Sequence, residues 1–102
     1  MFNFEKLAVW QKAVDFADLV YTVTRPFPSE ERFGLTNQMR RASVSISSNV
    51  AEGTSRASRK DFSRFVELAH GSTMETVSQA FVAECQLFLA RPDFERLYTD
   101  AE

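Results

Sequence analysis

The sequence is poor in the residues on which most metal and redox chemistry depends. It has 102 residues, of which one is cysteine and one is histidine. A lone cysteine cannot form a disulfide within the chain, which favours a reducing cytoplasm, and we expect Cys85 to be a buried, small apolar side chain. A metal site needs several clustered ligands, whereas His70 and Cys85 stand fifteen positions apart. The composition therefore predicts no bound metal.

Glycine and proline are equally scarce, at three residues each, in a chain that is 44% hydrophobic and 25% charged. These proportions are typical of an ordered globular protein, and the length predicts a single domain over residues 1–102. The chain has no glycine-rich loop of the kind that holds nucleotides, and no serine or cysteine one helical turn from His70. We expect a protein with no cofactor and no enzymatic activity, since an active site would require Arg41, Glu52 and His70 to converge between subunits.

An excess of charge of one sign and a long apolar run are also missing. The net charge is -2, which provides no general attraction to nucleic acid or to an anionic membrane. The most apolar run, residues 80–90, is too short to cross a bilayer and contains Glu84. Glu5 and Lys6 interrupt the N-terminal segment where a signal peptide needs an unbroken apolar stretch. We expect a soluble cytoplasmic protein without a membrane partner or an evident small-molecule substrate.

Apolar residues recur at helical spacing along most of the chain, and no segment alternates as a strand would. Ser58 followed by Asp61 is an acidic variant of the capping box, and Gly53 is the usual type of helix stop. The fold class is therefore all-α: an antiparallel up-down bundle of three long helices and a short fourth. The predicted helices cover residues 4–24, 34–52, 58–91 and 93–101, with a single turn at 29–31.

Two helices carry more apolar surface than a small monomeric bundle can bury. The apolar arc of the first helix covers about half of its circumference, which is wider than one packing face needs. Beyond residue 80, the apolar side chains of the third helix point in all directions. Such surface indicates burial by another molecule, so we predict self-association. The predicted interface residues are Val9, Phe16, Val20, Phe81, Val82, Phe88 and Leu89.

A stripe of polar residues runs beside the apolar stripe of the second helix. Arg41 lies too far from Glu52 for a local ion pair, because helical partners stand three or four residues apart. Partners must then come from other helices or from another subunit. A structural role is favoured, with a ligand site as the alternative. The polar stripe consists of Gln38, Arg41, Ser45, Ser48, Asn49 and Glu52.

A basic segment covers the end of the second helix and the start of the third. Six positive residues stand against Glu52 and Asp61, a net charge of +4. One interpretation is a solvated face paired in part with Asp61 and Glu67. The other is a phosphate-backbone site that oligomerisation would multiply, without base stacking because no aromatic residues interleave. The six positive residues are Arg41 and the candidate nucleic-acid-binding residues Arg40, Arg56, Arg59, Lys60 and Arg64.

Residues 34–53, GLTNQMRRASVSISSNVAEG, resemble the signature of small bacterial four-helix-bundle proteins encoded in intervening sequences of 23S ribosomal RNA genes. The family pattern is approximately G-L-T-x-Q-[LM]-R-R-A-[AS]-x-S-I-P-S-N-[IV]-A-E-G. The segments FEKLAVWQKAVDFA and DFSRFVELAHGS resemble the first and third helices of that family. Two departures are Ser47, where the family commonly has proline, and the end at Glu102, where relatives usually continue through a full fourth helix.

The resemblance implies a homopentamer of bundles. Pentameric bundles that accompany diversity-generating retroelements are similar in fold to this family, and they contact RNA, DNA and a reverse transcriptase through strongly basic surfaces. This chain has only a local basic segment and an acidic total charge. Self-assembly of a non-enzymatic bundle is therefore the first hypothesis, and nucleic-acid binding by RNA or DNA contacts is the second.

Overall fold

The computed structural model describes all 102 residues and consists of four α-helices, two short 3₁₀ turns and no strand. The predicted all-α class with four helices is confirmed. The molecule measures 44 × 22 × 20 Å along its principal axes. None of its helices has an apolar stretch of the length that a bilayer crossing requires. The helices are α1 Ala8–Thr24, α2 Leu35–Thr54, α3 Arg59–Cys85 and α4 Arg91–Ala101, and the turns are Asn3–Lys6 and Ser29–Glu31.

Helix α1 begins four residues later than its periodicity predicts. The Glu5 carboxylate accepts a hydrogen bond from the backbone N–H of Phe2 at 2.7 Å and closes a separate 3₁₀ turn. Leu7 is extended, and the Gln11 side chain donates to the Glu5 carbonyl oxygen at 2.9 Å. Local hydrogen bonds of this kind compete with regular helix. The apolar spacing continues across the break and so does not reveal it.

One apolar cluster joins α1, α2, α4 and the small residues of α3. Phe16, Val20 and Leu89 belong to this cluster and are buried within their own chain. We therefore correct the predicted interface by removing these three residues. The wide apolar arc of α1 packs against two helices of its own chain, α2 and α4. The width of the arc therefore does not require a second molecule. Phe88 is half-buried and lies against Phe27, with ring centroids 5.8 Å apart.

Helix α3 ends at Cys85, well before Pro92. The N–H of Phe88 bonds to the Ala83 carbonyl at 2.9 Å, and the N–H of Leu87 bonds to the Glu84 carbonyl at 3.0 Å. This pair of bonds is the Schellman motif, whose left-handed position is usually glycine. Leu87 occupies it with φ 65° and is 90% exposed. Leu87 therefore ends α3 within the range 58–91, over which the sequence predicts one continuous helix.

The same junction exposes Cys85, so the prediction of a buried thiol is wrong. Helix α4 begins two residues earlier than predicted, because Pro92 fits the first turn of a helix, where its missing N–H costs nothing. Arg91 Nη1 donates to both carboxylate oxygens of Glu84 at 3.0 Å. This hydrogen bond raises the pKa of Arg91 above its usual value. The pair ties the end of α3 to the start of α4.

We expect Leu87→Gly to raise the free energy of unfolding. The left-handed conformation of leucine destabilises the folded chain by about 1–2 kcal/mol, and glycine removes this strain. The extra freedom of glycine stabilises the unfolded chain by about 0.4–1 kcal/mol and offsets part of that gain. The net stabilisation is then about 0.5–1 kcal/mol, measured by urea denaturation. Leu68→Gly, in the interior of α3, is the control and should lose about 1 kcal/mol. A loss of stability in both variants would show that position 87 is not strained.

Gly53 lies inside α2 and is buried, so α2 ends two residues later than predicted and the glycine has a different role. A Cβ atom at Gly53 would lie 3.0 Å from the Cβ of Phe65 in α3. The glycine therefore allows the two helices to approach closely. Helix α2 runs without interruption through Ser47, whose hydroxyl donates to the Val44 carbonyl at 3.0 Å.

The two helical glycines are expected to respond to alanine with opposite signs. At Gly71 a new Cβ would meet no atom within 4 Å, so Gly71→Ala should raise the free energy of unfolding by about 0.5–1 kcal/mol through helix propensity. At Gly53 the crowding of a new Cβ against Phe65 outweighs the gain in helix propensity. Gly53→Ala should therefore lower the free energy of unfolding by about 1 kcal/mol. Urea denaturation measures both. Stabilisation of both variants would contradict the close contact of α2 and α3.

Candidate functional site

The predicted polar stripe of α2 divides into two parts. Ser45 Oγ lies 3.0 Å from Ser72 Oγ of α3, and Asn49 Nδ2 donates to the carbonyl oxygen and the Oγ of Ser45 at 2.8 and 3.0 Å. Glu52 forms an ion pair with Arg56, one turn further on, at 3.6 Å. The contact of Ser45 with Ser72 joins α2 to α3, whereas the Asn49 hydrogen bonds and the Glu52–Arg56 pair are local to α2 and its end. The exposed remainder of the stripe is Gln38, Arg41 and Ser48.

Three arginines line a shallow groove on the outer face of α2, which we call the arginine groove. The guanidinium of Arg40 lies 4.6 Å from the Tyr21 ring centroid and that of Arg32 lies 5.0 Å from the Phe33 ring centroid. The third arginine is Arg41, and none of the three takes part in an ion pair of the chain. The groove is therefore positively charged and partly aromatic. Its lining consists of Tyr21, Arg32, Phe33, Thr36, Asn37, Arg40, Arg41, Val44, Ser45 and Ser48.

Sequence reasoning included Arg40 and Arg41 but missed Arg32, Phe33 and Tyr21. Tyr21 and Arg40 are nineteen positions apart, and only the packing of α1 on α2 brings them together. Arg40 Nε also donates to Thr24 Oγ1 at 2.9 Å, which holds the guanidinium over the α1 end of the groove. Aromatic residues thus interleave with cations in this groove. They also do so in the basic segment, where Phe62 lies between Lys60 and Arg64, so the expectation that no aromatic residue interleaves there is wrong.

The cations at the start of α3 form a separate surface. Arg56 is engaged, since its guanidinium pairs with Glu52 and lies 4.8 Å from the Phe65 ring centroid. Arg59, Lys60 and Arg64 are exposed and belong to no ion pair. The pairing with Asp61 and Glu67 that one interpretation expected does not occur. Asp61 instead offers its backbone N–H to the Ser58 hydroxyl at 3.1 Å, which confirms the predicted cap.

A second groove lies between α1, α3 and the end of α4, and we call it the acidic groove. Asp15, Asp100 and Glu102 stand around it with one cation, Lys12. Its apolar part includes the exposed Val9. The sequence shows no sign of this groove, because α1 and α4 are far apart along the chain. The other lining residues are Ala13, Phe16, Ile46, Thr73, Thr99 and Ala101.

The remaining predicted interface residues are exposed on the folded chain. Val9, Phe81 and Val82 are each about half exposed, with Phe81 placed edge-on to Phe94 of α4 at a centroid distance of 4.7 Å. His70 lies exposed on α3. No group of three or more histidine, cysteine, aspartate or glutamate residues is placed to hold a metal ion.

A solved structure has the same fold, with a TM-score of 0.81 and 23% sequence identity over 92% of this chain and 88% of that one. It is a protein of unknown function from the S23 ribosomal protein family of Bacteroides thetaiotaomicron VPI-5482. No curated protein is significantly similar to this chain. The model of the 23S rRNA-intervening sequence proteins matches residues 5–102. This match agrees with the signature at residues 34–53, and the chain belongs to the 23S rRNA-intervening sequence protein family.

Proposed function

We propose that this protein is a non-enzymatic bundle that assembles with copies of itself in the cytoplasm, in the ring of five that the sequence resemblance implies. Each subunit is an antiparallel up-down bundle. The contacts of Gly53 with Phe65 and of Ser45 with Ser72 support this order for α2 and α3, since the paired residue numbers move in opposite directions. The function lies in the surface that the assembly presents and requires no cofactor.

The distribution of side chains on α3 carries this proposal. The buried residues of α3 are all small or polar: Ala69, Thr76, Ala80 and Ala83. Six of its eight large apolar side chains are 42–49% exposed, and the other two, Phe65 and Val77, are half-buried. A helix with one packing partner buries its large apolar residues first, because burial stabilises in proportion to area. The inverted pattern indicates an apolar surface that a second molecule covers. The exposed side chains are Phe62, Val66, Leu68, Met74, Phe81 and Val82.

Sedimentation equilibrium over a range of protein concentrations tests the proposal. We expect a species with five times the mass of the 11.6 kDa chain. Met74→Glu and Val66→Glu place a charge in the covered surface and should each raise the dissociation constant at least tenfold, about 1.4 kcal/mol. Ser29→Glu adds the same charge to the connector before α2 and should leave the mass unchanged. A monomer at every concentration would overturn self-assembly.

Nucleic-acid binding is the second candidate, supported by the unpaired cations Arg59, Lys60 and Arg64 at the start of α3. Repeated around an oligomer, these charges would contact phosphates at several points. We expect retention of RNA near 50 mM salt that weakens steeply as salt rises. The double variant Lys60→Glu with Arg64→Glu should abolish retention, whereas Arg25→Glu with Arg96→Glu should preserve it. Equal retention by both double variants would exclude this surface.

A further inference from the structure

We infer that copies of this chain associate head to tail, with the arginine groove of one copy against the acidic groove of the next. The inference rests on the proposed self-assembly and adds a pair of charged surfaces that meet to the apolar surface of α3 described above. The arginine groove has Arg32, Arg40 and Arg41 and no carboxylate among its lining residues. The acidic groove has Asp15, Asp100 and Glu102 against a single lysine. The two grooves therefore carry complementary charge.

The grooves lie on opposite sides of the bundle, as head-to-tail association requires. Val44 lines the arginine groove and Ile46 lines the acidic groove, and both belong to α2. Residues two positions apart on an α-helix point about 200° apart. A contact that joins opposite sides of a subunit is heterologous, and it produces a ring where the rotation closes. The complementary grooves thus favour cyclic assembly.

Symmetric pairing of either groove with itself is disfavoured. Two arginine grooves facing each other would bring six guanidinium groups together, and two acidic grooves would do the same with carboxylates. Like charges placed opposite one another at an interface cost several kcal/mol. A two-fold dimer through either groove is therefore disfavoured by charge repulsion, while the mixed contact brings guanidinium groups to carboxylates.

Apolar groups accompany the charges on both sides. Phe33 in the arginine groove is 82% exposed, and Val9 in the acidic groove is more than half exposed. Arginine and aromatic side chains are the residues that most often dominate binding energy at interfaces. A phosphate-bearing ligand in the arginine groove would leave Val9 and the carboxylates of the acidic groove uncovered. It would also approach a chain with a net charge of -2. A second copy satisfies both grooves at once.

The test is a charge swap read by sedimentation velocity at about 50 mM and about 500 mM salt. Arg41 is exposed and belongs to no ion pair of its own chain, so Arg41→Glu changes the groove without breaking an internal salt bridge. Arg41→Glu and Asp100→Lys should each raise the dissociation constant at least tenfold at low salt. The double variant carries the opposite pair in every contact and should recover most of the loss. Wild-type association should weaken at high salt.

Two control variants make the same charge changes outside both grooves. Arg25→Glu and Glu30→Lys change exposed residues of the connector between α1 and α2 and should leave the mass unchanged. An oligomeric wild type whose mass neither Arg41→Glu nor Asp100→Lys alters would overturn the head-to-tail contact and leave self-assembly standing. A monomeric wild type would overturn both. Loss of binding to a single-stranded oligouridylate in Arg41→Glu, with the oligomer intact, would assign the groove to phosphate and overturn the inference.

Discussion

Replacing Leu97 with alanine is expected to lower the free energy of unfolding by about 2–5 kcal/mol. Leu97 is 1% exposed, and with Phe94 it makes up the whole buried set of α4. The substitution removes apolar area from the core and leaves a cavity that the surrounding side chains fill only in part. Because an isolated helix of 11 residues is unstable in water, the loss should also release α4 from the bundle.

Urea denaturation followed by circular dichroism measures the first effect, and amide hydrogen exchange in α4 measures the second. Leu87→Ala is the matched control, since it removes the same atoms from a leucine that is 90% exposed and keeps a left-handed L-residue there. We expect it to change stability by less than about 0.5 kcal/mol. Equal losses in the two variants, or slow exchange of α4 amides in Leu97→Ala, would contradict the docking of α4 by its buried face.

Replacing Met39 with alanine is the second large effect, also about 2–5 kcal/mol. Met39 is fully buried near the centre of the cluster, on the face of α2 that points away from the arginine groove. Its flexible side chain fills space between helices, and alanine would leave that space empty because close-packed neighbours relax only in part. Urea denaturation at low protein concentration is the measurement.

Met74→Ala is the control for Met39→Ala, because the same atoms leave a side chain that is half exposed on α3. We expect a loss below about 1 kcal/mol at low protein concentration. At high concentration its denaturation midpoint should rise less than that of the wild type, since association stabilises the folded chain by mass action. A loss at Met74 as large as that at Met39 under dilute conditions would contradict the assignment of the core.

Helix boundaries were predictable where a side chain sets them locally. Ser58 caps α3 through the N–H of Asp61, and the connector with its two prolines separates α1 from α2. They were not predictable where packing between helices sets them. Gly53 lies within α2, where its lack of a side chain leaves room for Phe65 of α3, and Leu87 ends α3 despite its apolar side chain. Both depend on neighbours that are distant in sequence or on a loop whose hydrogen bonds override residue preference.

The candidate surfaces, like the helix boundaries, were predictable from the sequence only in part. The spacing of the α2 stripe predicted that its polar groups need partners beyond the helix, and Ser45 has one in Ser72. The arginine groove combines residues of α1, the connector and α2, and the acidic groove combines residues of all four helices. No single segment contains enough of either groove to reveal it.

The sequence by itself determined the helical class, the number of helices and the family, because periodicity and signature residues are local properties of the chain. Only the tertiary structure decided which apolar residues lie inside. Phe16 and Phe81 belong to similar patterns, yet Phe16 is buried and Phe81 is half exposed. The reason is that burial depends on how helices are placed around one another. A helix with a wide apolar arc fits several placements, and only the packed core selects one of them.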